Sequence, residues 1–474
     1  MNNRNSLKDF LNDLDKNNII YLSWKNNHEL NSSLCGEKDV DIFVPNSLKE
    51  QFIDLSKKHL WIEVENSVAK YDHVHHFYKV INSKTSFHLH VYFQIVTGES
   101  WIKEFNLPIE SFMVEEKIRD SVHNIWVLNK KAQAYIFIIR HFLKTGSIFS
   151  RILYLKEKKS YEREWKSCST NLEEIYSYGP LDINTFIENS GLSKKFSIPS
   201  YLTSLSFRLK FFKYLRFNRY FLWVYRSISF LKRLLNKLIF NRKKIICNKG
   251  LLVSISGADG AGKSSMIKQL NHEFSSFLSC KKYTLGKPQG LLTEKIRLFF
   301  ERKPSKIIAN QNLESKKETT LIKAVLAIYL AMLRFNMAKK ALKKSKNGNL
   351  VLVDRWPTMS IGKMDSAKIK VSEKSKNITR FLSVLEQKIY NKMPSADICI
   401  YLNVSLNTAI MRNESREKIG KETKEEITIR HKENDNILPK ANKIIQFNND
   451  GNFIEKLSEI RNLIVSEIIL IQRQ

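Results

Sequence analysis

Glycine and cysteine are scarce in this 474-residue chain, at 15 and 5 residues. The cysteines stand alone at Cys35, Cys168, Cys247, Cys280 and Cys399, with no C-x-x-C pair among them. That spacing excludes a zinc ribbon and a disulfide framework, and it fits a reducing cytosol. No run approaches about 18 uninterrupted apolar residues, so no membrane span is expected. The polar N-terminal stretch MNNRNSLKDFLNDLDKNN lacks an apolar signal core. These features predict a cytoplasmic protein. Neither an internal repeat nor a low-complexity linker is found. Acidic residues are also in deficit: 47 Asp and Glu face 79 Lys and Arg, a formal net charge of +32. Such an excess favours anionic partners, whether nucleotides, nucleic acid, acidic lipid headgroups or phosphorylated glycans. The bland alternative is a solvated, Lys-rich surface.

The length suits two or three cores, and composition divides the chain into three regions. Residues 1–194 mix short alternating strands with helices. Residues 195–249 form a basic, aromatic segment. In residues 250–474 strands alternate with helices, the pattern of a parallel α/β sheet. Between Leu205 and Lys244 the middle segment carries twelve basic residues and no acidic one. Phe207, Phe211, Leu215, Leu222, Tyr225 and Leu231 recur at roughly helical spacing, with Arg208, Arg216, Arg219 and Arg226 among them. This basic amphipathic connector is expected either to lie on an anionic membrane surface or to pack its aromatics on a neighbouring domain. Nucleic acid ranks lowest as a partner, because no recognised nucleic-acid module accompanies the charge.

Because glycine is scarce, its cluster in LLVSISGADGAGKSSMIKQL (251–270) is informative. Leu251 to Ser256 reads as a buried strand. Gly257-Ala-Asp259-Gly260-Ala261-Gly262-Lys263-Ser264 follows and matches G-x-x-x-x-G-K-[ST]. Met266, Ile267 and Leu270 then give a helical pattern. Strand, loop and helix are the context that a phosphate-binding loop requires. The glycines let backbone N–H groups curl toward phosphate oxygens, and the helix presents its positive end to the same anion. Lys263 can bridge the β- and γ-phosphates of ATP, and Ser264 can ligate Mg²⁺. Residues Gly257 to Ser265 are therefore the expected ATP site.

Downstream, the apolar strand Asn349–Val353 ends in Asp354-Arg355-Trp356. A carboxylate at the C-terminal end of a central strand can hold Mg²⁺ or its water, and Arg355 can clamp an acceptor phosphate. A further buried strand, Ala396 to Val404, precedes a basic run from Arg412 through Arg416 to Lys418, with Arg430 beyond. Such a run can close over phosphates as a flap, or simply be a solvated helix face.

Together these residues resemble the thymidylate kinase family, over roughly residues 250–470. The family's G-x-D-G-x-G-K-[ST] loop matches at Asp259, its D-R-[YFH] segment is similar to Asp354–Trp356, and its P-D-x-x-x-x-L-x-V strand is similar to Ser395–Val404. The resemblance implies an α/β P-loop kinase with a parallel sheet flanked by helices, using ATP and Mg²⁺. It implies that Asp259 touches the acceptor's sugar hydroxyl, that Asp354 acts near Mg²⁺ and that Arg355 binds the acceptor phosphate. Lid arginines, Arg416 first, supply charge to the transition state. The expected catalytic set is thus Lys263, Asp354, Arg355 and Arg416. The acceptor stays open. The family's F-P-x-R segment has no counterpart in Tyr283–Gly290, and Pro357–Asp365 also departs. A dTMP-like nucleoside monophosphate is the first expectation, and a phosphorylated sugar or glycolipid of surface polysaccharide synthesis the second. A nucleotide-switched, membrane-recruited binding protein is the rival from another class. Oligomeric state is not readable.

In the N-terminal region, Asp39-Val-Asp41 on an apolar strand puts two carboxylates on one face, as two-metal nucleotidyl transfer needs. The segment resembles the nucleotidyltransferase fold, with Trp24-Lys25 standing where that family carries Gly-Ser. An active enzyme, a degenerate binding domain and an unrelated α+β domain all stay open. Five of the eleven histidines gather here, at His73, His75, His76, His88 and His90. They read either as zinc or manganese ligands or as packed and acceptor-binding side chains.

Overall fold

In the computed structural model the chain is described except at residues 1–2, 69, 83–84, 193–195, 259, 287–318, 374, 415–422, 434–438 and 474. It divides into two units, Met1–Lys244 and Ile245–Gln474. Most of the basic segment expected as a connector, up to Lys244, falls within the first unit.

The first unit is a mixed sheet with helices. Its strands are β1 (Leu22–Ser23), β2 (Val40–Phe43), β3 (Ile62–Glu65), β4 (Val74–Val80), β5 (Ser86–Tyr92), β6 (Lys117–Arg119) and β7 (Trp126–Leu128). They run in the order β3-β4-β5-β2-β1-β7-β6. The β2/β5 and β1/β7 pairs are parallel and the other neighbours antiparallel. Helices α1 (Asn3–Lys16) and α2 (Lys49–Lys58) bury Phe10 and Phe52 in one core with Trp61, Phe77 and Phe93. A second core gathers Ile136 and Phe142 of α3 (Lys130–Thr145), Tyr154 of α4 (Ile148–Lys156), Trp165 of α5 (Lys158–Cys168) and Phe207 of α6 (Tyr201–Lys210).

The basic segment splits in two. Phe207, Phe211 and Leu222 are core residues. Arg208 is buried and pairs with Glu104, and Arg226 reaches Glu99 and Glu104 at 3.1 and 3.2 Å. Those two arginines, expected on a basic surface, are counter-ions of buried carboxylates. Beyond Leu222, α7 (Leu222–Leu235) exposes Trp223, Tyr225, Ile228 and Leu231.

Apolar, β-rich strands and amphipathic helices give the second unit its α/β order. Its strands are β8 (Leu251–Gly257), β9 (Cys280–Thr284), β10 (Leu350–Asp354), β11 (Ala396–Asn403) and β12 (Ala441–Asn448). The order is β9-β10-β8-β11-β12, and every neighbouring pair is parallel. All seven residues of β8 are buried, as a central parallel strand covered on both faces must be. Its flanking helices are α8 (Lys263–Ser275), α9 (Leu321–Lys346), α10 (Asn377–Asn391), α11 (Leu406–Glu414) and α12 (Phe453–Arg473). This is the α/β P-loop kinase fold expected from the motif. One helix departs from the membrane expectation: α9 is long and apolar enough, by length and composition alone, to cross a bilayer. Here it packs on β10, β8 and α10 through alanines such as Ala338 and Ala341. Arg334 in its middle is bonded to the carbonyls of Leu285 and Gly286.

Candidate functional site

The loop from β8 into α8 lies at the centre of the sheet, at the strands' C-terminal ends. Gly257 leaves β8 with φ 144°, and a Cβ there would stand 2.4 Å from the Leu402 carbonyl oxygen of β11. No side chain fits that approach. Gly260 and Gly262 adopt φ of 89° and 85°. Lys263 is buried, and its Nζ donates to the carbonyls of Gly257 and Ala258 at 3.0 and 2.7 Å. The ammonium thus stands inside the curl of the loop. Ser264 Oγ donates to Asp354 Oδ2 at 3.2 Å, and Asp354 Oδ1 is buried with no hydrogen-bond partner among the described residues. An orphaned carboxylate oxygen beside a serine hydroxyl is a donor set of the kind Mg²⁺ takes. Ala261 is buried and Ser265 exposed.

Arg355 follows Asp354 with φ 68°, an uncommon conformation for a side-chain-bearing residue. Its N–H donates to Ile255 O at 3.0 Å, which fixes the end of β10 against β8. Its guanidinium reaches Asp365 at 3.4 Å and Met364 Sδ at 2.8 Å. Arg334, which sequence reasoning did not single out, grips the end of β9: it bonds Leu285 O, Gly286 O and Tyr390 Oη. Asp259 and Arg416 lie outside the described residues, as does the side chain of Arg430. From α11, Arg412 does reach the loop. Its Nη2 donates to Asn449 O at 2.8 Å, and Asn449 Nδ2 donates to Ala261 O at 2.7 Å. A Cβ at Gly262 would lie 3.5 Å from Arg412 Nη1. Sequence reasoning does not single out Asn449; its signal is a polar residue just past a strand's C-terminal end, where ligands bind in open α/β sheets.

In the first unit, register decides which histidines meet. His76 opposes His90 and Tyr78 opposes His88 across β4 and β5, while Asp41 pairs with His90 from β2. One face therefore stacks Tyr78, His88, His76, His90 and Tyr92. His75 lies apart, bonded to Glu63 and edge-on to Phe93. Asp39 and Asp41 do share a face, but each has a histidine beside it: His88 Nδ1 lies 2.6 Å from Asp39 and His90 Nδ1 2.9 Å from Asp41. Lys25 Nζ lies 3.0 Å from Asp41. Burial alone would raise the Asp41 carboxyl, but Lys25 and His90 outweigh it and hold it well below the usual range. No group of three or more His, Cys, Asp or Glu disposed to hold a metal occurs among the described residues.

Comparison with known proteins points to the second unit. Residues 234–450 match the model of the KAP family P-loop domain. An uncharacterized ATP-binding protein YghR of Escherichia coli (strain K12) is 25% identical over 185 residues, covering 36% of this chain and 73% of that protein. A thymidylate kinase of Bacillus velezensis is 27% identical over 176 residues, covering 36% of this chain and 72% of the enzyme. Among solved structures, thymidylate kinase from Candida albicans aligns with TM-score 0.30 at 14% identity, over 47% of this chain and 93% of that one. Deoxyadenosine kinase from M. mycoides aligns with TM-score 0.27 at 17% identity, over 45% and 98%. The second unit thus resembles a P-loop NTPase domain and has weak sequence similarity to thymidylate kinases.

Proposed function

We propose that the second unit binds Mg·ATP at 257–265 and transfers the γ-phosphate to a phosphorylated small molecule, a dTMP-like nucleoside monophosphate being the first candidate. The observation that carries this reading is the convergence of Lys263, Ser264 and Asp354, with one Asp354 oxygen left over. Loop N–H groups cradle the β-phosphate, and the Lys263 ammonium exchanges its carbonyl partners for phosphate oxygens. Ser264 and Asp354 would hold Mg²⁺, which supplies charge neutralisation to the phosphates. Arg412 brings a guanidinium beside Gly262, and Arg416 is assigned the lid's contribution to the transition state. Arg355 takes the acceptor phosphate in exchange for Asp365, and Asp259 the acceptor's hydroxyl. The names of the thymidylate kinases in the comparison accord with this acceptor class. The test is turnover of labelled ATP with a panel of dTMP, sugar phosphates and glycolipid. Phosphorylated product that disappears in Lys263→Ala and Asp354→Asn supports the reading. ATP binding without acceptor-dependent turnover replaces it with a nucleotide switch.

A second reading of the acceptor rests on an exposed apolar face. Phe149 and Ile152 of α4, Trp223, Ile228 and Leu231 of α7, and Leu238 and Phe240 beyond it are all exposed. Phe149 stacks on Phe230 at 4.9 Å, which joins the two helices into one patch. Surrounded by Lys and Arg, such a patch suits the interface of an anionic bilayer, where each basic residue adds about 1 kcal/mol. Attachment to the inner leaflet would favour a lipid-borne acceptor. Co-sedimentation with anionic liposomes that weakens with salt supports it; equal binding to neutral liposomes removes it.

A further inference from the structure

Four cationic side chains of the first unit are joined through shared partners. Lys25 and Lys103 both donate to the phenol oxygen of Tyr92, at 2.9 and 2.7 Å. Lys25 and Arg140 both lie against the Trp24 ring, 5.0 and 5.6 Å from its centre. Lys144 stands one turn beyond Arg140 on α3 and donates to Tyr161 Oη at 2.7 Å. Tyr161 in turn lies one turn before Glu164 on α5.

The nearby carboxylates are already engaged. Asp41 takes Lys25, His90 and the Asn26 amide, the last at 2.9 Å. Glu164 takes Arg140 at 2.5 Å and the Asn26 N–H at 3.2 Å. Among the described residues, Lys103 and Lys144 have no carboxylate partner. Lys103 has a phenol oxygen and the faces of Tyr71 and Tyr92; Lys144 has Tyr161. His90 adds no charge, since burial pushes it down to about 3 against the pull of Asp41. With Lys103 protonated, four cations face two carboxylates and two positive charges are in excess. Burial, with Lys25 next, pushes the Lys103 ammonium well below the usual lysine range, and Lys144 and Arg140 add to this. A half-buried set of like charges is costly unless something negative joins it.

We propose that Lys25, Lys103, Arg140 and Lys144 form a binding site for a phosphate dianion carried by a small molecule, separate from the nucleotide loop. The dianion balances the excess charge. Ammonium and guanidinium donors suit a tetrahedral oxyanion. Lys103 adopts φ of 46°, a conformation uncommon for a residue with a long side chain.

The experiment uses full-length Lys263→Ala protein, which silences the nucleotide loop. Glycerol 3-phosphate is titrated by calorimetry with glycerol as control, and phosphatidate vesicles present the same group on a lipid. Binding of the phosphate but not of glycerol is expected. Adding Lys103→Met or Lys144→Met should weaken it at least tenfold, and Lys103→Arg should retain it. Loss in the soluble arm assigns a free phosphomonoester; loss confined to vesicles assigns a lipid headgroup. Should Lys103→Met fail to fold by circular dichroism, Lys144→Met carries the test. No phosphate binding in the Lys263→Ala parent, or equal binding in both methionine variants, overturns the proposal.

Discussion

Asp354→Asn separates a ligand-holding carboxylate from a merely structural one. In the structure Asp354 makes one side-chain bond, to Ser264, and leaves Oδ1 buried and unmatched. An unsatisfied buried acceptor costs about 1–3 kcal/mol. Asparagine can keep the Ser264 bond, so the apo stability of the second unit should change by no more than about 1 kcal/mol. Ligand-bound stability should behave differently. At a hundred times its Kd, Mg·ATP stabilises the native state by about 2.7 kcal/mol. For a domain of this size that raises Tm by roughly 5–10 °C. The variant should lose most of this shift when Mg²⁺ is present and little of the smaller shift given by ATP with a chelator. Differential scanning fluorimetry with and without Mg²⁺ reads both quantities. An unchanged Mg·ATP shift in Asp354→Asn would refute the metal-holding role.

Other substitutions test the remaining geometry. Gly257→Ala forces a Cβ onto the Leu402 carbonyl at a positive φ, so it should cost at least about 1–3 kcal/mol and abolish ATP binding, while leaving the first unit's melting transition in place. Arg412→Ala removes a guanidinium bonded beside the loop; kcat/KM for ATP should fall about tenfold to a hundredfold, as expected for a charged hydrogen bond of about 1.5–3 kcal/mol. Asp41→Asn leaves Lys25 buried without its counter-ion and should cost about 3–5 kcal/mol in urea unfolding, whereas Asp41→Asn with Lys25→Met should be milder. Because the folded Asp41 carboxyl is held below its unfolded range, its contribution is present above about pH 4 and is lost on acidification below that. The Asp41→Asn protein should therefore show a shallower acid dependence of stability.

The nucleotide loop was legible because its determinants are local. Three glycines, a lysine and a serine within eight residues, flanked by an apolar strand and a helix, need no knowledge of distant contacts. Asp354 was legible for the same reason, as the first polar residue after a buried strand. Residues whose roles arise from tertiary approach were not. Asn449 meets Ala261, and Arg334 meets Gly286, only once the sheet is assembled. Charge in the basic segment misled, since composition cannot say that Arg208 and Arg226 neutralise Glu99 and Glu104. The histidine runs showed their clustering but not their register. A one-residue choice of pairing put His76, rather than His75, beside His88 and His90.

Leu251–Gly257 occupies the middle of its sheet, and both neighbours come later in the chain: Val253 is in register with Leu352 on one side and Ile398 on the other. During synthesis this strand therefore emerges from the ribosome with neither edge matched. Until Leu350–Asp354 and Ala396–Asn403 have also been made, an apolar ribbon stays open to association with other nascent chains. Assembly of the nucleotide loop is tied to the slowest, most non-local step in building this half of the molecule. Truncations that end before residue 396 should accumulate as aggregates, not as a smaller folded domain.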